Sequence, residues 1–425
     1  MTDLLSKDKQ YIWHPFTPLE GNLPQNLVIT KAEGCYLHTD DNRRIIDAIS
    51  SWWVNLHGHS HPLIAEAIAK QASQLEHVMF AGFTHEPAIR LAENLLSVLP
   101  SGFSKVFFSD NGSTSNEVAI KMAIQYWHNK GVKKKKIIAI DGAYHGDTFG
   151  AMAVGERSVF TAPFHDYLFE VAFIDFPSDE NADRVTEQFK KLIDTDDVGA
   201  FIFEPLIQGA SGMRIYSSSV LDSLILLAQQ KQIICIADEV FTGFYRTGKF
   251  FASDYLQHKP DIMALSKGIT GGALPLGATA CNNLVYQAFL SKDISKAFLH
   301  GHSYTGNPLA CAAANASFNL LSLPECHQSI QSIAASHQRF VAEISNHRNV
   351  KSARSLGTIL AIELKTKDES GYTNTISNRI LHHFLSKDIL LRPLGNVIYI
   401  VPPYCMDKEC LQSVHNAIAE FLDLM

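Results

Sequence analysis

Ile236-Ala237-Asp238-Glu239-Val240 and, further along, Leu265-Ser266-Lys267-Gly268-Ile269 each read as an apolar strand that ends in an ionisable side chain. A strand this apolar is covered on both faces, so its first charged residue falls where the chain leaves the sheet. Asp238 and Lys267 are therefore expected together at the carboxyl edge of one sheet. An acid and an amine held there suit pyridoxal phosphate, whose aldehyde forms a Schiff base with a lysine and whose pyridine nitrogen needs a carboxylate to stay protonated. A salt bridge between neighbouring strands accounts for the same two residues, because each buried charge is costly unless paired. Gly268, Gly271 and Gly272 favour the site, since glycine lets a bulky group approach the backbone.

Outward from this pair, Lys105-Val106-Phe107-Phe108, Ile137-Ile138-Ala139-Ile140, Ala200-Phe201-Ile202-Phe203, Ile233-Ile234-Cys235-Ile236 and Ile262-Met263-Ala264-Leu265 are continuous apolar runs. Helical patterns separate them, the first opened by Pro62. The expectation is an α/β fold with a mostly parallel central sheet and helices on both faces. The ends differ. Residues 27–49 alternate, with turn signals at Gly34 and Asp41-Asn42, and read as an antiparallel meander. After about residue 320 helices alternate with Gly357–Glu363 and Asn396–Ile400. A large domain over 56–319 is thus expected, with a small discontinuous α+β domain from 1–55 and 320–425.

A chain of 425 residues exceeds the ~100–200 of one domain, and 46% hydrophobic against 19% charged residues excludes a disordered protein. The net charge of -7 argues against a nucleic-acid partner. Lys133-Lys134-Lys135-Lys136, the one basic run, leads directly into Ile137 and reads as the solvated approach to a strand. Cysteines at 35, 235, 281, 311, 326, 405 and 410 are scattered and odd in number, which suits reduced thiols in a cytoplasm. The start is charged rather than signal-like, and no stretch offers the ~20 apolar residues of a membrane span.

Ser109-Asp110-Asn111-Gly112-Ser113-Thr114-Ser115-Asn116-Glu117 leads from a strand into a helix. Free amides there, loosened by Gly112 and joined by the Ser113 and Thr114 hydroxyls, make a phosphate site. The competing reading is a helix capped by Thr114 and Glu117. Asp141-Gly142-Ala143-Tyr144-His145-Gly146-Asp147 ends another strand, and Tyr144 could stack on a flat ring or belong to the core. His57-Gly58-His59-Ser60-His61 makes a metallohydrolase the rival chemistry, with Asp238 or Glu239 as carboxylate ligand. No His-Glu-x-x-His or Cys-x-x-Cys accompanies it, and no metal is expected.

Read together, Gly142-Ala143-Tyr144-His145-Gly146, Glu204-Pro205, Asp238-Glu239-Val240-x-Thr242-Gly243, Arg246-Thr247-Gly248 and Ser266-Lys267-Gly268 resemble, in order, the pattern of the class III pyridoxal-phosphate-dependent aminotransferases. The resemblance spans nearly the whole chain. It implies the type I fold of these enzymes and a homodimer with shared active sites. Lys267 would bind the cofactor covalently and shuttle the proton. Asp238 would hold the pyridinium, with Val240 and Tyr144 on its two faces. Gly112 and Ser113 would bind the phosphate, joined by His302 and Ser303 of the other subunit.

Trp13-His14-Pro15-Phe16-Thr17, Ser51-Trp52-Trp53, His300-Gly301-His302-Ser303-Tyr304-Thr305-Gly306-Asn307-Pro308 and Leu391-Arg392-Pro393-Leu394-Gly395 are similar to one branch of that family, which acts in biotin synthesis. This implies a ping-pong reaction, through pyridoxal and pyridoxamine phosphate, with S-adenosylmethionine as donor and 7-keto-8-aminopelargonate as acceptor. Phe16, Trp52, Trp53, Tyr144, Lys267, Gly301, Arg392 and Tyr399 would meet substrate, Arg392 as a fork for a carboxylate. The chain departs from the pattern in three places. Phe16 stands where many relatives have tyrosine, which keeps lysine open as donor. Tyr245 replaces a common glycine, and His302-Ser303 replaces Pro-Thr. Asp147 and Arg246, each next to a motif, are expected to pair.

Overall fold

The apolar runs assemble into one seven-stranded sheet in the computed structural model, which describes residues 3–18, 20, 26–367 and 374–425. Its strands are β1 (Phe103–Ser109), β2 (Lys136–Ile140), β3 (Ala172–Ile174), β4 (Val198–Phe203), β5 (Ile234–Asp238), β6 (Ile262–Leu265) and β7 (Gly277–Asn282). They lie in the order β1-β7-β6-β5-β4-β2-β3. The runs are continuous because both faces are covered. Phe201, Phe203, Cys235, Ala237 and Leu265 enter one core, whereas Ala200, Ile202, Ile234 and Ile236 enter another beneath the helix Gly112–Asn129.

Two strands escape the sequence reading, β3 at one edge and β7 inside the sheet. β7 runs antiparallel to both neighbours, pairing Ala278 with Leu265 and Gly277 with Ser109. Residues 266–276 are too few for the crossover that a parallel neighbour requires. Gly-Ala-Thr-Ala-Cys also lacks large apolar side chains, since the helix Gly112–Asn129 lies close against it. A Cβ on Gly277 would strike the Ser109 and Ser115 hydroxyls, and Thr279 donates to the Ser115 carbonyl at 2.8 Å.

The two ends meet. Ile29–Glu33, Tyr36–Thr39 and Arg44–Asp47 form the expected meander, and Ile389–Leu390 joins it in parallel, Ile389 beside Ile46 and Leu390 beside Asp47. Val350–Leu356, Ile359–Leu364 and Val397–Ile400 form a separate antiparallel sheet. Ala48 and Trp53 share a core with Phe384, Tyr399 and Ile418. Residues far apart in the chain thus set the position of the 49–57 segment, which borders the central sheet's carboxyl edge.

Phe201 in β4 is fully buried, its ring 4.9 Å from Phe189 and 5.0 Å from Phe203. Phe201→Ala should destabilise the fold by ~3–5 kcal/mol, read as a lower urea midpoint.

Candidate active site

β5 and β6 are parallel neighbours with Asp238 opposite Ala264, so Asp238 and Lys267 emerge at one edge. They do not form an ion pair. The Asp238 carboxylate is held by three other donors: Asn116 Nδ2 at 2.8 Å and His145 Nδ1 at 2.7 Å on one oxygen, and the Val240 amide at 3.0 Å on the other. The salt-bridge alternative is therefore set aside. Each donor comes from a different place: the helix Gly112–Asn129, the turn after β2, and the chain just past β5.

Lys267 has φ +43° and begins a short 3-10 turn. Its ammonium lies 4.9 Å from the Trp53 ring centroid and 5.7 Å from that of Phe241. Burial pushes its pKa below the usual lysine value, opposed by the charges of Asp238 and Glu204. A larger fraction of unprotonated amine is what a nucleophile needs. The glycines that follow admit protein rather than a ligand: a Cβ on Gly272 would stand 2.8 Å from the Asn55 backbone, and one on Gly268 3.0 Å from Leu56.

Asn111, not Thr114, caps the helix Gly112–Asn129, accepting from the Thr114 amide while Thr114 Oγ1 accepts from the Asn111 amide. Glu117 takes no part in this cap and accepts instead from the amides of Gly150 and Ala151. The amides of Gly112 and Ser113, first in the helix, have no intrahelical acceptor. The Ser113 hydroxyl accepts from the Thr148 amide at 3.0 Å. Gly112 has no room for a side chain, because its Cβ would lie 2.6 Å from Val240. Tyr144 donates its amide to Glu204 at 3.0 Å, and burial and the adjacent Asp147 carboxylate raise its hydroxyl pKa. Glu204 is buried, accepts also from the Gly209 amide at 3.0 Å, and has its pKa lifted to about 7, by burial first.

These groups line one cavity of about 970 Å³, together with Phe16, Trp52, Trp53, Arg392 and Tyr399. Trp53 packs against Phe241 at 4.6 Å and Tyr399 at 5.9 Å. Phe16 lies 5.7 Å from Trp52 and 6.2 Å from Phe160. Arg392 sits over the Trp52 ring at 5.0 Å and donates to the Phe16 carbonyl at 3.1 Å. Gly301, His302 and Ser303 do not line the cavity. His302 Nδ1 accepts from the Tyr304 amide within its own loop, and Ser303 is exposed.

Ser50, Ser51, Trp52 and Trp53 all have positive φ. Asp47 secures the start of this loop, accepting from the Ser51 amide at 2.9 Å and its hydroxyl at 2.7 Å. Arg246 secures its end through the carbonyls of Asn55 at 3.1 Å and Trp53 at 3.4 Å, and also holds the Pro402 carbonyl at 2.7 Å. Both terminal nitrogens of Arg246 thus point to main-chain carbonyls rather than to Asp147, and the expected pair does not form. Tyr245, with φ +72°, occupies a conformation that favours glycine, and its ring packs on Phe250 and His327 rather than in the cavity. The histidines that raised a metal site are dispersed among other partners. His57 bonds Ser317 and His59 bonds Asp47; among the described residues no three His, Cys, Asp or Glu side chains come together to hold a metal.

Asn116, Glu204 and Arg246 carry much of this arrangement, and sequence reasoning assigned the first two no role. Their signal was polarity inside apolar stretches, visible only once the buried face is known.

The family model for class III aminotransferases matches residues 19–422, and the chain belongs to that family. It is an aminotransferase. It is 47% identical over 421 residues to adenosylmethionine-8-amino-7-oxononanoate aminotransferase of Synechococcus elongatus, covering 97% of this chain and 98% of that one. The enzyme of the same name from Staphylococcus aureus is 36% identical, covering 99% and 98%. The crystal structure of the Methanocaldococcus jannaschii enzyme of that name superposes with a TM-score of 0.93 at 36% identity, covering 99% and 98%. A PLP-bound amine transaminase from an uncultivated Pseudomonas species superposes at 0.90 with 27% identity, covering 96% and 97%.

The residues present fit pyridoxal phosphate. An unpaired lysine amine, a carboxylate fixed by three donors and a helix start with free amides converge on one cavity. Gly112→Ala, which forces Val240 or the helix start aside, should weaken cofactor binding by about tenfold or more, read by titrating the apoprotein with pyridoxal phosphate and following its absorbance.

Proposed function

We propose that this aminotransferase moves an amino group from S-adenosylmethionine to 7-keto-8-aminopelargonate, giving 7,8-diaminopelargonate for biotin synthesis. The observation that carries the site is the unpaired Lys267 amine beside an Asp238 carboxylate clamped by His145, Asn116 and the Val240 amide. The relatives' shared name carries the choice of substrates.

Gly112 and Ser113 would hold the cofactor phosphate, Val240 and Tyr144 its two ring faces, and Asp238 the proton on its pyridine nitrogen. Bound there, pyridoxal phosphate supplies an aldehyde that takes up the amine and a ring that stores the electron pair released at the substrate carbon. Lys267, its ammonium destabilised by burial, takes and returns the proton at that carbon. Arg392 orients a substrate carboxylate, while Trp52, Trp53 and Tyr399 exclude water and accept two unlike molecules in turn.

The active assembly is a homodimer in this reading, with Gly301, His302 and Ser303 completing the partner's site. Supporting it, their loop carries exposed Leu299 and Tyr304, and Tyr304 packs 5.2 Å from His77, two residues before exposed Met79. The free cysteines suit a reducing cytoplasm, and among the described residues no helix is long and apolar enough to cross a membrane. A second reading, lysine as donor, is favoured by Phe16, which offers substrate no hydroxyl.

Mixing the yellow holoenzyme separately with S-adenosylmethionine and with lysine identifies the donor by which one bleaches the absorbance. Adding 7-keto-8-aminopelargonate should then restore the colour and yield diaminopelargonate by mass spectrometry. Bleaching by neither would refute the substrates. Borohydride should fix the cofactor's mass onto wild-type protein and not onto Lys267→Ala, whose turnover should fall by about 10²–10⁴-fold or more.

A further inference from the structure

Five acids line the cavity: Asp147, Glu156, Glu204, Asp238 and Glu363. Four of them are occupied. Asp238 has its three donors, Glu204 the amides of Tyr144 and Gly209, Glu363 the Lys351 ammonium at 2.8 Å, and Asp147 the Tyr144 hydroxyl. Of these five, only the Glu156 carboxylate has no hydrogen bond or ion pair with the described residues.

Its backbone is fixed all the same. The Glu156 amide donates to the Ala143 carbonyl at 2.7 Å, which sets the side chain beside the turn that carries Tyr144. The charges acting on it are Asp141, which repels it, and Arg214, which attracts it. Those acting on Lys267 are Asp238 and Glu204. Arg214 packs against Gly142, the neighbour of the Ala143 that holds Glu156, so Glu156 lies toward the Arg214 end of the cavity. Arg214 donates through one terminal nitrogen to Gln208 at 2.6 Å and to the Asp141 carbonyl at 3.3 Å and stacks on Phe176, while its Nε has no partner among the described residues. Glu156 is exposed on the cavity wall with no partner of its own, so its charge is available to a cation that enters the cavity.

We infer that Glu156 is a specificity-determining residue that receives the positive centre the amino donor carries away from its reacting amine. The inference rests on the proposed function. Both candidate donors have such a centre: the sulfonium of S-adenosylmethionine or the second ammonium of lysine. The acceptor's only cation sits on the carbon next to its ketone and stays beside Lys267. Glu156 thus separates two substrates that share one cavity, favouring the donor through charge at the distal end while Arg392 serves a carboxylate.

The test compares each cationic donor with its neutral counterpart, S-adenosylmethionine with S-adenosylhomocysteine and lysine with norleucine. Each is titrated into the holoenzyme and followed by absorbance. In the pair that wild type accepts, the cationic member should bind about five- to tenfold more tightly, a preference that shrinks as salt is added. Glu156→Gln should abolish the preference and its salt dependence, and Glu156→Asp, which keeps the charge, should retain most of it. A preference unchanged in Glu156→Gln, or equal weakening of both members, overturns the inference. A wild type that responds to neither pair overturns the proposed substrates and this inference with them.

Discussion

The clamp on Asp238 is the constraint on which the rest of the site depends. One carboxylate at the end of β5 draws Asn116 from the helix after β1 and His145 from the turn after β2. Those two partners fix how the helix start and the Tyr144 turn face each other across the cavity. A charge buried this deeply requires donors, and the donors it recruits are the elements that border the cavity. The same occupancy leaves Lys267 without a carboxylate partner, so burial acts on its amine and lowers its basicity.

The substrate wall rests on a different arrangement. Four consecutive residues, Ser50 to Trp53, hold positive φ, a conformation that L-residues adopt at a cost of the order of 1–3 kcal/mol each. Asp47 and Arg246 hold the loop from opposite ends, the first with side-chain oxygens and the second with guanidinium donors on main-chain carbonyls. Because Arg246 also grips Pro402, the C-terminal segment helps to place Trp53. The tryptophans are thus set by three distant parts of the chain.

Several features of the site were legible in the residues alone. β1, β2, β4, β5 and β6 announced themselves as apolar runs, and Asp238 and Lys267 as their polar ends. β7 did not, because a strand pressed against a helix is built from glycine, alanine and threonine and loses the pattern by which strands are recognised. Position along the chain suggests that Asp147 pairs with Arg246. Arg246 faces carbonyls instead, a partner class that no side-chain pattern reveals.

By itself the sequence determined the alternation of strands and helices, the nucleophile and acid at the sheet edge, and the ordered motifs of a class III aminotransferase. Those follow from local periodicity and from residue types that only certain chemistry requires. Only the tertiary structure decided whether Asp238 and Lys267 neutralise each other or stand apart, and which acid in the cavity is left without a partner. Pairing between side chains depends on distances across the fold, and three donors reaching Asp238 from separate elements settle what spacing along the chain leaves open.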